Sequence, residues 1–423
     1  MKTGLCFLVA AKRCEIADLR QLAQTSVLVD TTARMIHDLQ RERGLTNLFL
    51  GSGGAHASAL RQEQLLASTA TETALRACFD TLNIEPQGMT NGARLFSRIA
   101  YVLQGLDALP ALRKQVDRQR WDAPRATGAY VQLVAGLLAV VFEAADTATD
   151  PDVSRLLVSL FNFMQGKEFV GQERATGAAM FAAGRADARQ QQRLMRLIES
   201  QEQCLEVFAD FADPETRALW DNSLSAHLAA ELERMRRVLC TSVDGGPLNK
   251  AWSTSWFDGC SARIDAMRTV EMRLSLALQT LCDRKLAQAR LELDNLERVQ
   301  ATLNESAVAP ETQATFFEEP ETLEAQAPVR PLGSQLDRGV LDLLHAQAHR
   351  LQKMEEELDT VRASLNERKV IERAKGLLMA HRQLSEEDAH RTMRQMAMNQ
   401  GRRLVEVAEA VLSMAEVLPA RLR

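Results

Sequence analysis

Seven interruptions constrain this chain more than any other feature. The first 304 residues break at GSGG (Gly51), NIEPQG (Asn83), WDAPRATG (Trp121, with Pro110 ahead of it), TDPD (Thr149), AAGRAD (Ala182), ADP (Ala212) and DGGP (Asp244). Each joins turn formers or helix breakers. The pieces between them run roughly 12–50, 57–84, 90–118, 125–148, 152–184, 187–211, 215–240 and 252–304. Within them apolar residues recur at steps of three and four, as Leu156, Leu157, Leu160, Phe163 and Met164 do. Aromatics are only 5% of the chain while Ala, Leu, Glu, Gln and Arg dominate, which favours helix over sheet. The expected fold is all-α. Eight pieces in two sets of four predict two related four-helix bundles, or one elongated helical domain, over residues 1–304.

The text changes at 305–333. ESAVAPETQATFFEEPETLEAQAPVRPLG carries four prolines, six glutamates and almost no helical stripe, and reads as an acidic linker. A coiled-coil helix follows over 334–366, with a seam of Leu351, Met354, Leu358, Val361 and Leu365 at alternating steps of three and four. Leu344 is in register behind it, but Gln347 interrupts, so the seam is short. It pairs two chains or packs on its own domain; pairing into a homodimer is the expectation. Residues 367–423 read as a small bundle of three short helices, the second N-capped by Ser385 and ended by Gly401.

A net charge of -5 gives no global basic signature, so contact with nucleic acid requires a local patch. Seven scattered cysteines form no CxxC, and no Cys or His cluster has metal-ligand spacing; reduced thiols and a cytoplasmic location are expected. The N-terminal GLCFLVAA is too short to span a membrane and runs into an amphipathic helix as a buried first turn. No later apolar run reads as reaching membrane length. Neither paired carboxylates nor a Ser-His constellation points to an enzyme.

One string is written twice. ERGLTNLFLG begins at Glu42 and ERATGAAMFAAG at Glu173, at corresponding places in the two sets of four. On a helical wheel Leu28, Met35, Leu39, Thr46 and Leu50 share a line with Arg43, while Arg41 points away. On the fifth piece Val153, Leu160, Met164, Ala178 and Phe181 share a stripe with Lys167 and Arg174. Each repeat therefore directs a guanidinium into the apolar interior, where it costs several kcal/mol unless paired. One reading is an internal salt bridge, to Glu42 or to a carboxylate on another helix. The other is convergence of two arginines on a small anion, since guanidinium forks suit planar oxyanions. Thr46 and the backbone near Gly44 and Gly171 add uncharged donors. Arg236, in ELERMRRVL, borders the apolar face of its helix and is a third candidate against a solvated role. These residues alone do not separate nitrate from chloride, sulfate or a carboxylate.

LQRERGLTNLFLGSGG together with KEFVGQERATGAAMFAAG resembles the nitrate- and nitrite-sensing NIT domain of bacterial regulators, over roughly residues 30–285. The resemblance implies two four-helix bundles, nitrate or nitrite as the signalling ligand without a cofactor, and a binding role for Arg43 and Arg174.

The C-terminal ERKVIERAKGLLMAHRQLSEEDAHRTMRQMAMNQGRRLVEVAEAVL is similar to the ANTAR domain, an RNA-binding output module of antitermination regulators. The matching steps are Ala374-Lys375-Gly376, Met379, Ser385-Glu386 with Ala389, Arg394 with Ala397-Met398, and Arg403-Leu404 with Val407-Ala408. From Arg368 onward bases exceed acids by four, a local basic patch. Lys375 and Arg394 rank first as RNA contacts, then Arg368, Arg373, Arg402 and Arg403; any one of them can equally be a solvated face. No Phe or Tyr is present here to stack a base. The order of modules resembles one-component nitrate-responsive antiterminators, which act on paired hairpins of a leader RNA and have no membrane partner. The alternative is a small-anion-responsive regulator whose output is DNA or protein binding, since three short basic helices also enter a major groove.

Overall fold

The computed structural model describes residues 4–55, 57–82, 92–305, 332–382, 384 and 386–417. Within them the chain is all-α, with twelve helices and, apart from one isolated bridge between Arg185 and Pro247, no strand pairing. It divides into two compact units, 1–350 and 351–423.

In the first unit the helices are α1 (Gly4–Gly51), α2 (Ser58–Asp80), α3 (Gly92–Asp117), α4 (Ala123–Asp146), α5 (Pro151–Ala183), α6 (Ala188–Phe211), α7 (Pro214–Asp221), α8 (Ala226–Thr241) and α9 (Trp252–Glu305). Their starts are set by acceptor side chains on otherwise unpaired amides. Asp122 accepts from Arg125 N, Asp150 from Asp152 N and Val153 N, Asp187 from Gln190 N, Asp213 from Thr216 N and Ser225 from Leu228 N. A proline in the first turn follows the cap in α4, α5 and α7. Gly184 closes α5 with φ +71°, and its amide returns to the Met180 and Phe181 carbonyls.

α1 packs against α2 and α4, and α3 against α4. α5 packs against α6, α8 and α9. The two groups meet where α1 lies on α9 and α5, and α4 on α5. Leu28, Met35, Ile36 and Leu39 of α1 and Leu160, Phe163, Met164 and Phe181 of α5 are fully enclosed. Trp256 of α9 crosses α5 where Gly177 has no side chain, and its ring nitrogen donates to the Arg174 carbonyl at 3.1 Å. Arg350, at the end of this unit, reaches Glu15 of α1 at 2.9 Å and Glu292 of α9 at 3.3 Å.

Several sequence expectations change here. The N-terminal apolar run does belong to the helix, with Leu5, Leu8 and Val9 buried. Pro110, read as punctuation, lies inside α3. The piece 215–240 is two helices, because Asn222 ends α7 and Ser225 caps α8. α4 is long and apolar enough to cross a membrane, contrary to the sequence reading, but most of that window is buried among its neighbours. Residues 306–331, nearly all of the acidic linker, lie outside the described residues.

The second unit holds the end of α10 (Leu332–Arg382), α11 (Glu386–Gln400) and α12 (Leu404–Val417). Ala374, Leu378, Ala389, Met393, Ala397, Val407, Ala408 and Val411 form its core. Gly401 ends α11 with φ +61°, and the Arg402 amide reaches back to the Ala397 carbonyl. Ser385, read as the cap of α11, lies outside the described residues. Of the heptad seam, Leu358, Val361 and Leu365 are buried within the single chain, and Leu351 is 54% exposed. The C-terminal end of that seam is thus covered without a second chain.

Candidate anion site

The two Glu-Arg pairs occupy the faces where α1, α5 and α9 meet, and each pair divides its work. The glutamates face inward within their own helical group. Glu42 accepts from Tyr130 Oη at 2.6 Å and from Arg113 Nε and Nη2 at 2.9 and 2.8 Å. Glu173 accepts from Arg236 Nε and Nη2 at 2.6 and 2.7 Å and from Gln201 at 2.6 Å. Both carboxylates are essentially inaccessible to water, and both are saturated by an arginine fork from a neighbouring helix.

The arginines face across the divide. Arg43 is 2% exposed; its Nη1 and Nη2 bond the two carboxylate oxygens of Glu168 on α5, at 2.5 and 3.0 Å. Glu168 also accepts from Gln40 on α1 and Gln172 on α5, each at 2.9 Å. Arg174 is enclosed as well, but among the described residues it has no carboxylate partner. It donates to Ser261 Oγ of α9 at 2.8 Å and lies over the Phe257 ring, 4.7 Å from its centre. Burial, and then the charge of Arg43, bring the Arg174 pKa down to about 10. Two guanidiniums therefore sit within repelling range in a buried interior, and the one carboxylate bonded there, Glu168, is held by Arg43.

The glycines explain how they fit. A Cβ on Gly44, next to Arg43, would lie 2.7 Å from Arg174 Nη2. A Cβ on Gly171, on α5, would lie 2.6 Å from Arg43 Nη2. Each arginine thus rests on a bare patch of the opposite helix.

The surroundings remain positive. Lys167 of α5 is wholly buried and ion-paired with Glu271 of α9, which also takes Arg268 at 2.7 Å. Burial lowers the Lys167 pKa against the opposing pull of Glu271. Burial first, and then Lys167, Arg268 and Arg41, hold His37 of α1 far below the ordinary imidazole range, so it is neutral. The cations Arg43, Lys167, Arg174 and Arg268 face the carboxylates Glu168 and Glu271, with Asp265 acting on Arg174 from the exposed side. Among the described residues, the side-chain oxygen of Gln40 is buried without a hydrogen-bond partner. An interior with surplus positive charge favours a further anion.

The other sequence candidates lie elsewhere. The Arg236 fork is taken by Glu173 and Gln201. Thr46 is buried, and its hydroxyl accepts from Arg61 Nε at 3.4 Å. Glu168, Gln40 and Ser261 escaped the sequence reading. Glu168 had a signal: it stands at i, i+3 from Gly171, the glycine against which Arg43 rests.

In the second unit Lys375 is 8% exposed and pairs with Glu372 at 2.6 Å, which places the residue ranked first for RNA contact in the bundle wall. Arg394 and Arg368 are half-buried, and Arg373, Arg402 and Arg403 are exposed. Arg403 reaches Glu367 of α10 at 2.7 Å, which brings the start of α12 against the end of α10 that carries Arg368.

Two arginines from paired helices, one lacking a counter-ion, suit an oxyanion sensor, and comparison with known proteins decides which kind. The family described as nitrate and nitrite sensing (NIT) matches residues 34–279, more than half of the chain. The chain belongs to the NIT family. A second match, to the ANTAR domain, covers residues 359–412. The Nitrate regulatory protein of Klebsiella oxytoca is 32% identical over 410 residues, covering 95% of this chain and 93% of that protein. A solved structure of the NasR transcription antiterminator aligns with a TM-score of 0.61 and 30% identity, over 97% of this chain and 99% of that one. This NIT protein is accordingly a regulator with a sensor and a C-terminal ANTAR module, not an enzyme.

Proposed function

We propose that this NIT protein is a cytoplasmic, one-component antitermination regulator in which nitrate or nitrite binds between Arg43 and Arg174. The sensor is then two related four-helix bundles, α1–α4 and α5, α6, α8 and α9 with the short α7 between, over residues 1–304, with the acidic segment 305–333 as linker to a helix over 334–366 and the output bundle 367–423. With ligand bound, the output module binds paired hairpins of a leader RNA and keeps a terminator from forming, which releases genes for nitrate and nitrite assimilation. A homodimer through the remaining exposed end of the seam would present two output modules to two hairpins.

The observation that carries this reading is Arg174: a buried guanidinium facing Arg43 without a carboxylate of its own. An anion placed between the two removes repulsion and supplies the missing counter-charge. α9 is the natural messenger, because Ser261 bonds Arg174 directly and the helix continues to Glu305. Nitrate titrated into the full chain should bind saturably, and nitrate should strengthen binding to a two-hairpin leader RNA, measured by filter retention at fixed salt. Equal or tighter binding to duplex DNA would point to the alternative output. Nitrate binding without any change in RNA affinity would separate the sensor from the proposed output.

The glycine seat offers a second test. Alanine outranks glycine in a helix by about 1 kcal/mol, so Gly44→Ala should leave the thermal midpoint within a few degrees of wild type. Its Cβ must push the Arg174 guanidinium aside. Nitrate affinity should then fall about tenfold, roughly the 1.4 kcal/mol expected for a charged hydrogen bond put out of line. Unchanged affinity by calorimetry would place the anion elsewhere.

A further inference from the structure

We propose that Glu168 is a built-in competitor: its carboxylate occupies Arg43 in the empty sensor and must be displaced by the incoming oxyanion. This rests on the reading of Arg43 and Arg174 as the nitrate or nitrite site. The geometry points to it in three ways. Glu168 takes both Nη atoms of Arg43, the end of the guanidinium fork, so an anion that uses that end has to remove it. The carboxylate is not locked by the arginine alone. Gln172, one turn further along α5 and half-buried, already holds Oε1, and Gln40 holds Oε2. And Glu168 stands on α5 while Arg43 stands on α1, so the internal bridge ties the two helical groups together in the absence of ligand.

Displacement does two things. It sets a threshold, because affinity is reduced by the fraction of time the competitor holds the site. It also exchanges partners: the α1–α5 bridge is replaced by an anion held jointly by Arg43 and Arg174. Ligand binding thereby changes which atoms join α1, α5 and, through Ser261, α9, instead of only filling a gap. In the resting state Arg43 already holds a carboxylate, so the guanidinium left without one is that of Arg174, which Arg43 still repels.

The test is isothermal titration of sodium nitrate into the full-length protein, its Glu168→Gln variant and its Gln172→Ala variant, at constant ionic strength. Glu168→Gln should tighten nitrate binding by about tenfold or more, because the amide does not neutralise Arg43. Gln172→Ala should change the affinity by a smaller factor, about two- to threefold in the same direction, because it loosens one bond of the competitor. A gain in affinity is not what structural damage produces. If Glu168→Gln fails to fold, the Gln172→Ala result decides. Binding by wild type with unchanged or weaker affinity in the folded variants would overturn the competitor and leave the nitrate site standing. No binding by any of the three would overturn both.

Discussion

Glu271→Ala should lower the unfolding free energy of the sensor by about 3–5 kcal/mol, the penalty for stranding a buried charge. Glu271 and Lys167 are both wholly buried, and Glu271 also serves Arg268. Removing the carboxylate leaves an ammonium and a guanidinium beside a neutral His37, with only Glu168, already engaged by Arg43, as a nearby counter-charge. Urea unfolding followed by far-ultraviolet circular dichroism measures the loss. Lys167→Met combined with Glu271→Leu should recover most of it, since an apolar pair of similar volume often replaces a buried ion pair at no net cost. A loss below about 1 kcal/mol in the single variant would mean that water reaches this pair and that the interior is not dry.

The second large effect separates the two members of the repeated motif. Arg43→Ala should cost about 3–5 kcal/mol, because Glu168 is left in the interior with only glutamine donors. Arg174→Ala should stay within about 1 kcal/mol of wild type: the guanidinium it removes is desolvated and repelled, against the loss of the Ser261 bond and of the Phe257 ring contact. Both should abolish nitrate binding. The double variant Arg43→Ala/Glu168→Ala should regain stability without regaining the ligand. If Arg174→Ala unfolds as readily as Arg43→Ala, then Arg174 is a structural residue and the anion site must be sought elsewhere.

Helix positions were legible because their signals are local. Asp150 followed by Pro151, Asp213 followed by Pro214 and Gly184 each act within one turn of the break they make. The split between α7 and α8 carries the same kind of signal in Ser225, without a proline like those that follow Asp150 and Asp213. Pro110 misled because a single proline is only a local cost, and the packing of α3 on α4 outweighs it. The inward aim of Arg43 and Arg174 was visible from helical phase, but their partners were not. Glu168 lies 125 residues from Arg43, and Ser261 lies 87 from Arg174, so only the tertiary fold joins them. The same limit applied to Lys375 and the leucine seam: a basic residue beside a motif and a heptad stripe look alike whether the neighbour is solvent, a second chain or the same chain.

α9 runs without a break for 54 residues, about 80 Å at the rise of an α-helix. Ser261, the residue that touches Arg174, stands near its beginning, with about 66 Å of helix beyond it. Such a rod converts angle into distance. A tilt of about 3° at the anion site, smaller than the bending ordinary helices show, displaces the Glu305 end by about 3 Å, roughly two residues of helical rise. An anion held at Arg174, as proposed, would then need only such a tilt to move the far end by a distance comparable to its own size, without any large rearrangement of the core.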